Sequence, residues 1–155
     1  MTSNLFTIST KIEVFPESRL RIKNKKRNYE EELIIGKVSN DFAKLYSSLV
    51  YKQYGVVLEL PPFGAHITIA DGRQKIDIKR NEQFLNQIKN KQFKVECDPR
   101  VYRHWRFYAL RVHSTELDCI RKKLGLSSDY PFHITIGKLP DSLFTSSTIL
   151  TKTLP

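Results

Sequence analysis

The tetrapeptide His-Ile-Thr-Ile occurs twice in this chain, at residues 66–69 and again at 133–136, with Pro and Phe shortly before the histidine in both copies. In an extended strand, residues i and i+2 share a face, so each copy presents one imidazole and one hydroxyl together while its two isoleucines anchor the opposite face. Two such strands set side by side would let His66 and His133 divide acid and base roles. An ordinary imidazole has a pKa of about 6.5, so a neutral and a protonated ring can coexist near neutral pH. Thr68 and Thr135 could then hydrogen-bond an anionic oxygen held between them. His113-Ser114-Thr115 is an internal control, because it has the same spacing but a polar middle residue, no apolar residue after the threonine, and a place at a helix start. The extended, duplicated match sets His66 and His133 apart from a strand histidine with a structural hydrogen bond.

Strand and helix signals alternate around these motifs. Leu5 to Val14 mixes β-branched, apolar and polar residues as a strand does. Arg19, Arg21, Lys23, Lys25, Lys26 and Arg27 then crowd a loop or hairpin turn, which is either a solvated loop or an electrostatic guide for a phosphate-bearing ligand. Leu33 to Lys37 reads as a short strand limited by Gly36. Ser39-Asn40-Asp41 caps a helix whose stripe is Phe42, Leu45, Tyr46, Leu49 and Val50, and Gly55 ends it. Val56 to Leu60 and the Pro61-Pro62 break lead into the first motif strand.

The second half follows a similar order. Asn81 to Asn90 reads as a helix with Phe84, Leu85 and Ile88 inward, and Phe93 to Cys97 and Trp105 to His113 read as strands. Ser114 or Thr115 caps a further helix with Leu117, Ile120 and Leu124 as its stripe. Arg121, Lys122 and Lys123 fall in its last turns, where the helix dipole favours cations, and Gly125 closes it. Tyr130-Pro131-Phe132 leads into the second motif. The expected fold is a single α+β domain over residues 1–155, in two lobes related by approximate twofold symmetry. Antiparallel sheets would line a central groove and helices would cover the outside.

Lysine and arginine number 26 against 16 acidic residues, a net charge of +10 that favours a phosphate-bearing partner. Cys97 and Cys119 have neither zinc-site nor disulfide-framework spacing. The start of the chain lacks a secretory pattern and no apolar run reaches membrane-spanning length, so a cytoplasmic protein without membrane contact is expected. No cofactor is expected. Two histidines without a neighbouring carboxylate cluster make a poor catalytic metal site, which needs about three protein ligands.

Two His-x-Thr strands in two halves of a small α+β domain resemble the two-histidine (2H) phosphoesterase superfamily. That group includes RNA-end cyclic phosphodiesterases, LigT-type RNA ligases and viral enzymes that degrade 2',5'-linked oligoadenylate. Ile120-Arg121-Lys122-Lys123-Leu124-Gly125-Leu126 followed by Pro131-Phe132-His133-Ile134-Thr135-Ile136-Gly137 is similar, more narrowly, to the second half of the phage anti-CBASS phosphodiesterases. The resemblance implies that His66 and His133 are the acid and base and that Thr68 and Thr135 bind the scissile phosphate. It implies a cyclic di- or trinucleotide substrate, such as 3',3'-cGAMP, cleaved without metal in the cytoplasm of an infected bacterium to evade CBASS immunity. No stable protein partner is implied.

For substrate binding the candidates are Trp105, Arg111 and Lys138. Trp105 alternates with Phe107, Ala109 and Arg111 along one strand face, with Tyr108, Leu110 and Val112 packed behind, and it offers a ring for base stacking. Tyr29, Tyr46 and Tyr102 are weaker candidates. Lys138 follows the second motif and needs the strand to end at Gly137 to turn back toward His133. The Ser/Thr-rich tail, residues 139–155, is either a lid over the groove or a disordered terminus. Alternatives are a 2H phosphodiesterase acting on 2',5'-oligoadenylate or RNA 2',3'-cyclic ends, a non-catalytic RNA-binding module, and a protein that sequesters cyclic nucleotides uncleaved.

Overall fold

Six strands and three helices form in the computed structural model, which describes residues 4–14, 34–61, 64–71, 74 and 76–143. The basic segment at 19–27, Tyr29 and the tail after Leu143 lie outside the described residues. In chain order the elements are β1 (Phe6–Val14), β2 (Ile34–Lys37), α1 (Asn40–Tyr54), β3 (His66–Ala70), α2 (Ile78–Ile88), β4 (Gln92–His104), β5 (Phe107–His113), α3 (Thr115–Lys123) and β6 (His133–Lys138). A 3-10 turn at Asp141–Leu143 follows.

A capping side chain starts each helix. The Ser39 hydroxyl accepts from the Asp41 N–H at 3.3 Å, Asp77 from Arg80 at 3.0 Å, and Ser114 from Leu117 at 3.3 Å. Each satisfies one N–H that the first helical turn leaves without a partner. Gly55 ends α1 at φ 68°, a left-handed conformation that a side chain would disfavour. The second helix begins at Ile78, three residues before the expected Asn81.

The strands pair in the order β1-β2-β3-β6-β5-β4 and close into one antiparallel barrel. This replaces the two-lobed α+β arrangement expected from the duplicated motif. The decisive pairing is β1 with β4, which runs from Phe6↔Cys97 to Lys11↔Gln92 and joins the first strand of the chain to the second half. With β3 also pairing β6, no sheet edge is left between two lobes.

Alternation along each strand divides the barrel into two faces. Ile67, Ile69, Ile134 and Ile136 are 0% exposed and cluster with Ala43 of α1, Leu85 and Ile88 of α2, and Leu117 and Ile120 of α3. Burying an isoleucine side chain stabilises a fold by about 1.5–3 kcal/mol, so these four are a main source of barrel stability. The helices pack against this apolar face. On β1 the other face carries exposed Thr7, Ser9 and Lys11, and on β3 and β6 it carries the motif histidines and threonines.

Strand β4 runs seven residues beyond the expected end at Cys97 because it contains a bulge. Cys97 pairs with Val112 and Val101 with Leu110, so Asp98-Pro99-Arg100 stand opposite Arg111. A bulge accommodates Pro99, which cannot donate to a ladder. Asp98 accepts from the Arg100 backbone N–H at 3.0 Å and from its guanidinium at 2.6 Å, and these bonds hold its carboxyl down at about 2. A carboxylate with a depressed folded pKa adds stability above its ordinary value of 3.8 and loses it as pH falls through about 2. Arg100 is 78% exposed on its side chain, so solvent screens the pair and keeps the effect small. In denaturant titrations Asp98→Asn is expected to lower stability slightly at neutral pH, with the gap to wild type narrowing across this acid window. A gap independent of pH would remove the carboxylate charge as its cause.

Candidate functional site

The two motifs meet at the seam between β3 and β6, where Ile67 pairs with Ile134. Continuing that antiparallel register by one residue either way sets His66 opposite Thr135 and Thr68 opposite His133. Opposite residues share a face, so all four polar side chains gather on the face away from the helices while Ile67 and Ile134 anchor the apolar face. Each histidine thus neighbours the threonine of the other motif. The two histidines are diagonal neighbours, for which backbone separations of about 7–8 Å are usual, a spacing that suits one phosphate between two imidazoles.

Both rings are oriented by the same device. His66 Nδ1 lies 2.9 Å from the Gly64 carbonyl oxygen and His133 Nδ1 lies 3.1 Å from that of Pro131, in each case two residues upstream. A carbonyl only accepts, so Nδ1 carries the proton in both rings. In the neutral ring Nε2 is then the basic nitrogen, and in the charged ring it becomes a second donor. His66 is the deeper of the two at 9% exposed, with His133, Thr68 and Thr135 half-buried.

The backbone here calls for a glycine at position 64. It adopts φ +71°, and a Cβ there would collide with the side-chain amide of Asn40, whose Oδ1 accepts from Ala65 N–H at 3.0 Å. Gly64→Ala is expected to cost about 1–2 kcal/mol for the left-handed backbone alone. It should also disturb the His66 tautomer, read by nitrogen NMR of the imidazoles, while His133 keeps its signature. An unchanged His66 spectrum would separate the Gly64 carbonyl from ring orientation.

The proposed substrate-binding residues are distributed unevenly. Arg111 pairs with His133 across β5 and β6, and its guanidinium stands 5.5 Å from the centre of the Tyr102 ring. Burial raises the Tyr102 phenol pKa, and Arg111 partly opposes that. Trp105 is not in a strand but in the β4–β5 turn, at φ 55° and 58% exposed, against Phe107 and the Arg106 guanidinium. Phe107 pairs with Lys138 and Arg111 with His133, so the turn lies at the far end of β5 from the motif histidine. A turn breaks the alternation that placed Trp105 with Arg111. Tyr108, Leu110 and Val112 are buried on the opposite face of β5.

Lys138 reaches the histidine face without the strand ending at Gly137. A register shift between Tyr108 and Ala109 leaves Ile136 without an opposite residue and brings Lys138 across from Phe107. Its ammonium is held by Glu59 at 3.3 Å and Asp141 at 3.9 Å. Tyr46 stacks on Phe6, lies tilted against Phe42 and serves packing.

Three contributors were missed from sequence. Gly64 and Pro131 act through backbone carbonyls, which carry no residue-type signature. Arg121 was grouped with Lys122 and Lys123 as a dipole-facing cation, but it is 1% exposed. Its Nη1 donates to the Ile69 carbonyl at 2.6 Å and to Gln74 at 3.2 Å, its Nε donates to the Ser127 carbonyl at 2.7 Å, and its guanidinium lies 4.1 Å from the centre of the Tyr130 ring. It ties the end of one motif strand to the approach of the other. Burial lowers its pKa, although a guanidinium keeps its proton.

No family model, curated protein or solved structure matches the chain. Other features lie apart from the motif seam. A cleft of about 460 Å³ between α1 and the β4 bulge is lined by Tyr46, Leu49, Val50, Tyr54, Arg100 and Val101 among others, and by none of the motif residues. Cys97 is buried, with its thiol pushed up to about 12 chiefly by that burial, while Cys119 is exposed. Among the described residues no group of three or more His, Cys, Asp or Glu is placed to hold a metal ion. No helix among them is long and apolar enough to cross a membrane.

Proposed function

We propose that this chain is a metal-independent phosphodiesterase of the two-histidine type, which opens cyclic oligonucleotide messengers such as 3',3'-cGAMP and thereby evades CBASS antiphage immunity. The observation that carries the catalytic part is the matched pair of Nδ1 bonds, which gives His66 and His133 the same tautomer on one face beside the two threonines. The messenger class and the immune role rest on the resemblance of the second half to phage anti-CBASS enzymes.

On a 3',5'-linked substrate the neutral histidine takes the proton of the ribose 2'-hydroxyl through Nε2. The 2'-oxygen bonds to phosphorus, the bond from phosphorus to the 5'-oxygen breaks, and the protonated histidine gives its Nε2 proton to that leaving oxygen. A 2',3'-cyclic phosphate results, and water can open it with the two roles reversed. Thr68 and Thr135 donate to the non-bridging oxygens, where negative charge grows in the transition state. Either histidine can begin as base. A 2'-deoxy substrate cleaved as fast as its ribose counterpart would eliminate the cyclic intermediate.

The test is chromatography of products after incubation in EDTA with 3',3'- and 2',3'-linked cyclic di- and trinucleotides, a 2',5'-oligoadenylate and an RNA with a 2',3'-cyclic end. Cleavage of a cyclic messenger is the expected result. Cleavage of the oligoadenylate or RNA end alone would keep the chemistry and reject the immune reading. Salt-sensitive RNA binding without cleavage of any of them would point to a binding module instead.

A further inference from the structure

Each motif histidine has a basic residue directly beside it on the next strand outward. Lys37 of β2 pairs with His66 of β3, and Arg111 of β5 pairs with His133 of β6. These four strands are consecutive in the barrel, so the order across this face of the wall is Lys37, His66, His133, Arg111. Three strand spacings of about 4.8 Å each, counted along the wall, separate the two cations, with both histidines between them.

Both cations are exposed to solvent. Lys37 is bridged by Glu13 at 3.3 Å, and its side chain stays more than half exposed. Lys11 stands directly opposite Lys37 on β1. Like charges facing each other across a ladder destabilise a sheet, and a phosphate bound between them would offset that. Among the described residues no carboxylate bridges Arg111, and Tyr102 beneath its guanidinium leaves the N–H edge open to fork onto a phosphate.

We propose that Lys37 and Arg111 bind the phosphates on either side of the one being cleaved, so that the site prefers substrates with three or more phosphodiesters, cyclic trinucleotides above cyclic dinucleotides. This rests on the phosphodiesterase reading above and deepens it. A substrate with one phosphodiester engages the histidines and neither flank, a cyclic dinucleotide engages one flank at a time, and a cyclic trinucleotide can engage both.

The experiment measures kcat/KM for cyclic triadenylate, cyclic diadenylate and the dinucleoside monophosphate ApA across a salt series. Wild type is compared with Lys37→Gln and Arg111→Gln, and with Lys79→Gln on the exposed side of α2 as control. For each flanking variant the preference for the trinucleotide over ApA is expected to fall about tenfold, the worth of one charged hydrogen bond. The slope of log kcat/KM against log salt should shrink by about 0.7 per lost phosphate contact. The control should keep both. Equal loss on the trinucleotide and ApA, or unaltered slopes in both variants, would overturn the flanking role while the enzyme reading stands. Cleavage of no phosphodiester by wild type would remove both.

Discussion

His66→Asn and His133→Asn are each expected to lower kcat of phosphodiester cleavage by about 10²–10⁴-fold, the usual worth of a positioned general acid or base. Asparagine is chosen because its amide nitrogen can stand where Nδ1 stands and donate to the same carbonyl, Gly64 for one ring and Pro131 for the other. It has nothing in the place of Nε2. Unfolding free energy should therefore stay within about 0.5 kcal/mol of wild type, as for substitutions that keep local bonds, while turnover collapses. Alanine gives up the Nδ1 bond as well and should cost about 1 kcal/mol more in stability. On the proposed mechanism the two rings act as a unit, so the two asparagine substitutions combined should cost little more than either alone. Rates for the asparagine variants within tenfold of wild type would exclude proton transfer by these rings, whatever the substrate.

Arg121→Ala is expected to be the most destabilising single change in the described structure, at about 3–5 kcal/mol in denaturant unfolding. It leaves the Ile69 and Ser127 carbonyls without the guanidinium, and it opens a void where a large side chain had been 1% exposed. Arg121→Lys tests geometry against charge. An ammonium on a flexible stem cannot reach β3, Gln74 and Ser127 from one flat group while lying against Tyr130, so lysine should recover less than half of the loss. Arg121 also joins the strand bearing His66 to the approach of the strand bearing His133, so Arg121→Lys should lower kcat through misplacement of the two rings. A cost below about 1 kcal/mol for alanine would mean that water takes over these carbonyls and the side chain only fills a gap.

The legibility of this chain varies with the range of the interaction. Helix ends were readable because a cap is a local bond: Ser39, Ser114 and Gly55 act within four residues of themselves. The faces of β1, β3 and β6 were readable because alternation follows from strand geometry whatever lies opposite. Trp105 was misplaced because alternation was carried through a turn, and β4 was cut short because Asp98-Pro99-Arg100 resembles a break and is a bulge. Arg121 was misread because charge predicts exposure unless a neighbour supplies acceptors, and its acceptors are distant backbone carbonyls, including one 52 positions away.

By itself the sequence determined that two imidazoles and two hydroxyls stand in matched pairs, each on one face of an apolar-backed strand, since side-chain direction in a strand depends on position alone. Only the tertiary structure decided that β1 closes onto β4 and that β3 meets β6 at Ile67 and Ile134. It alone set Lys37 and Arg111 beside the two histidines. Alternation fixes which face each strand buries, but every strand offers the same backbone donors and acceptors, so its partner is chosen by the packing of the whole barrel.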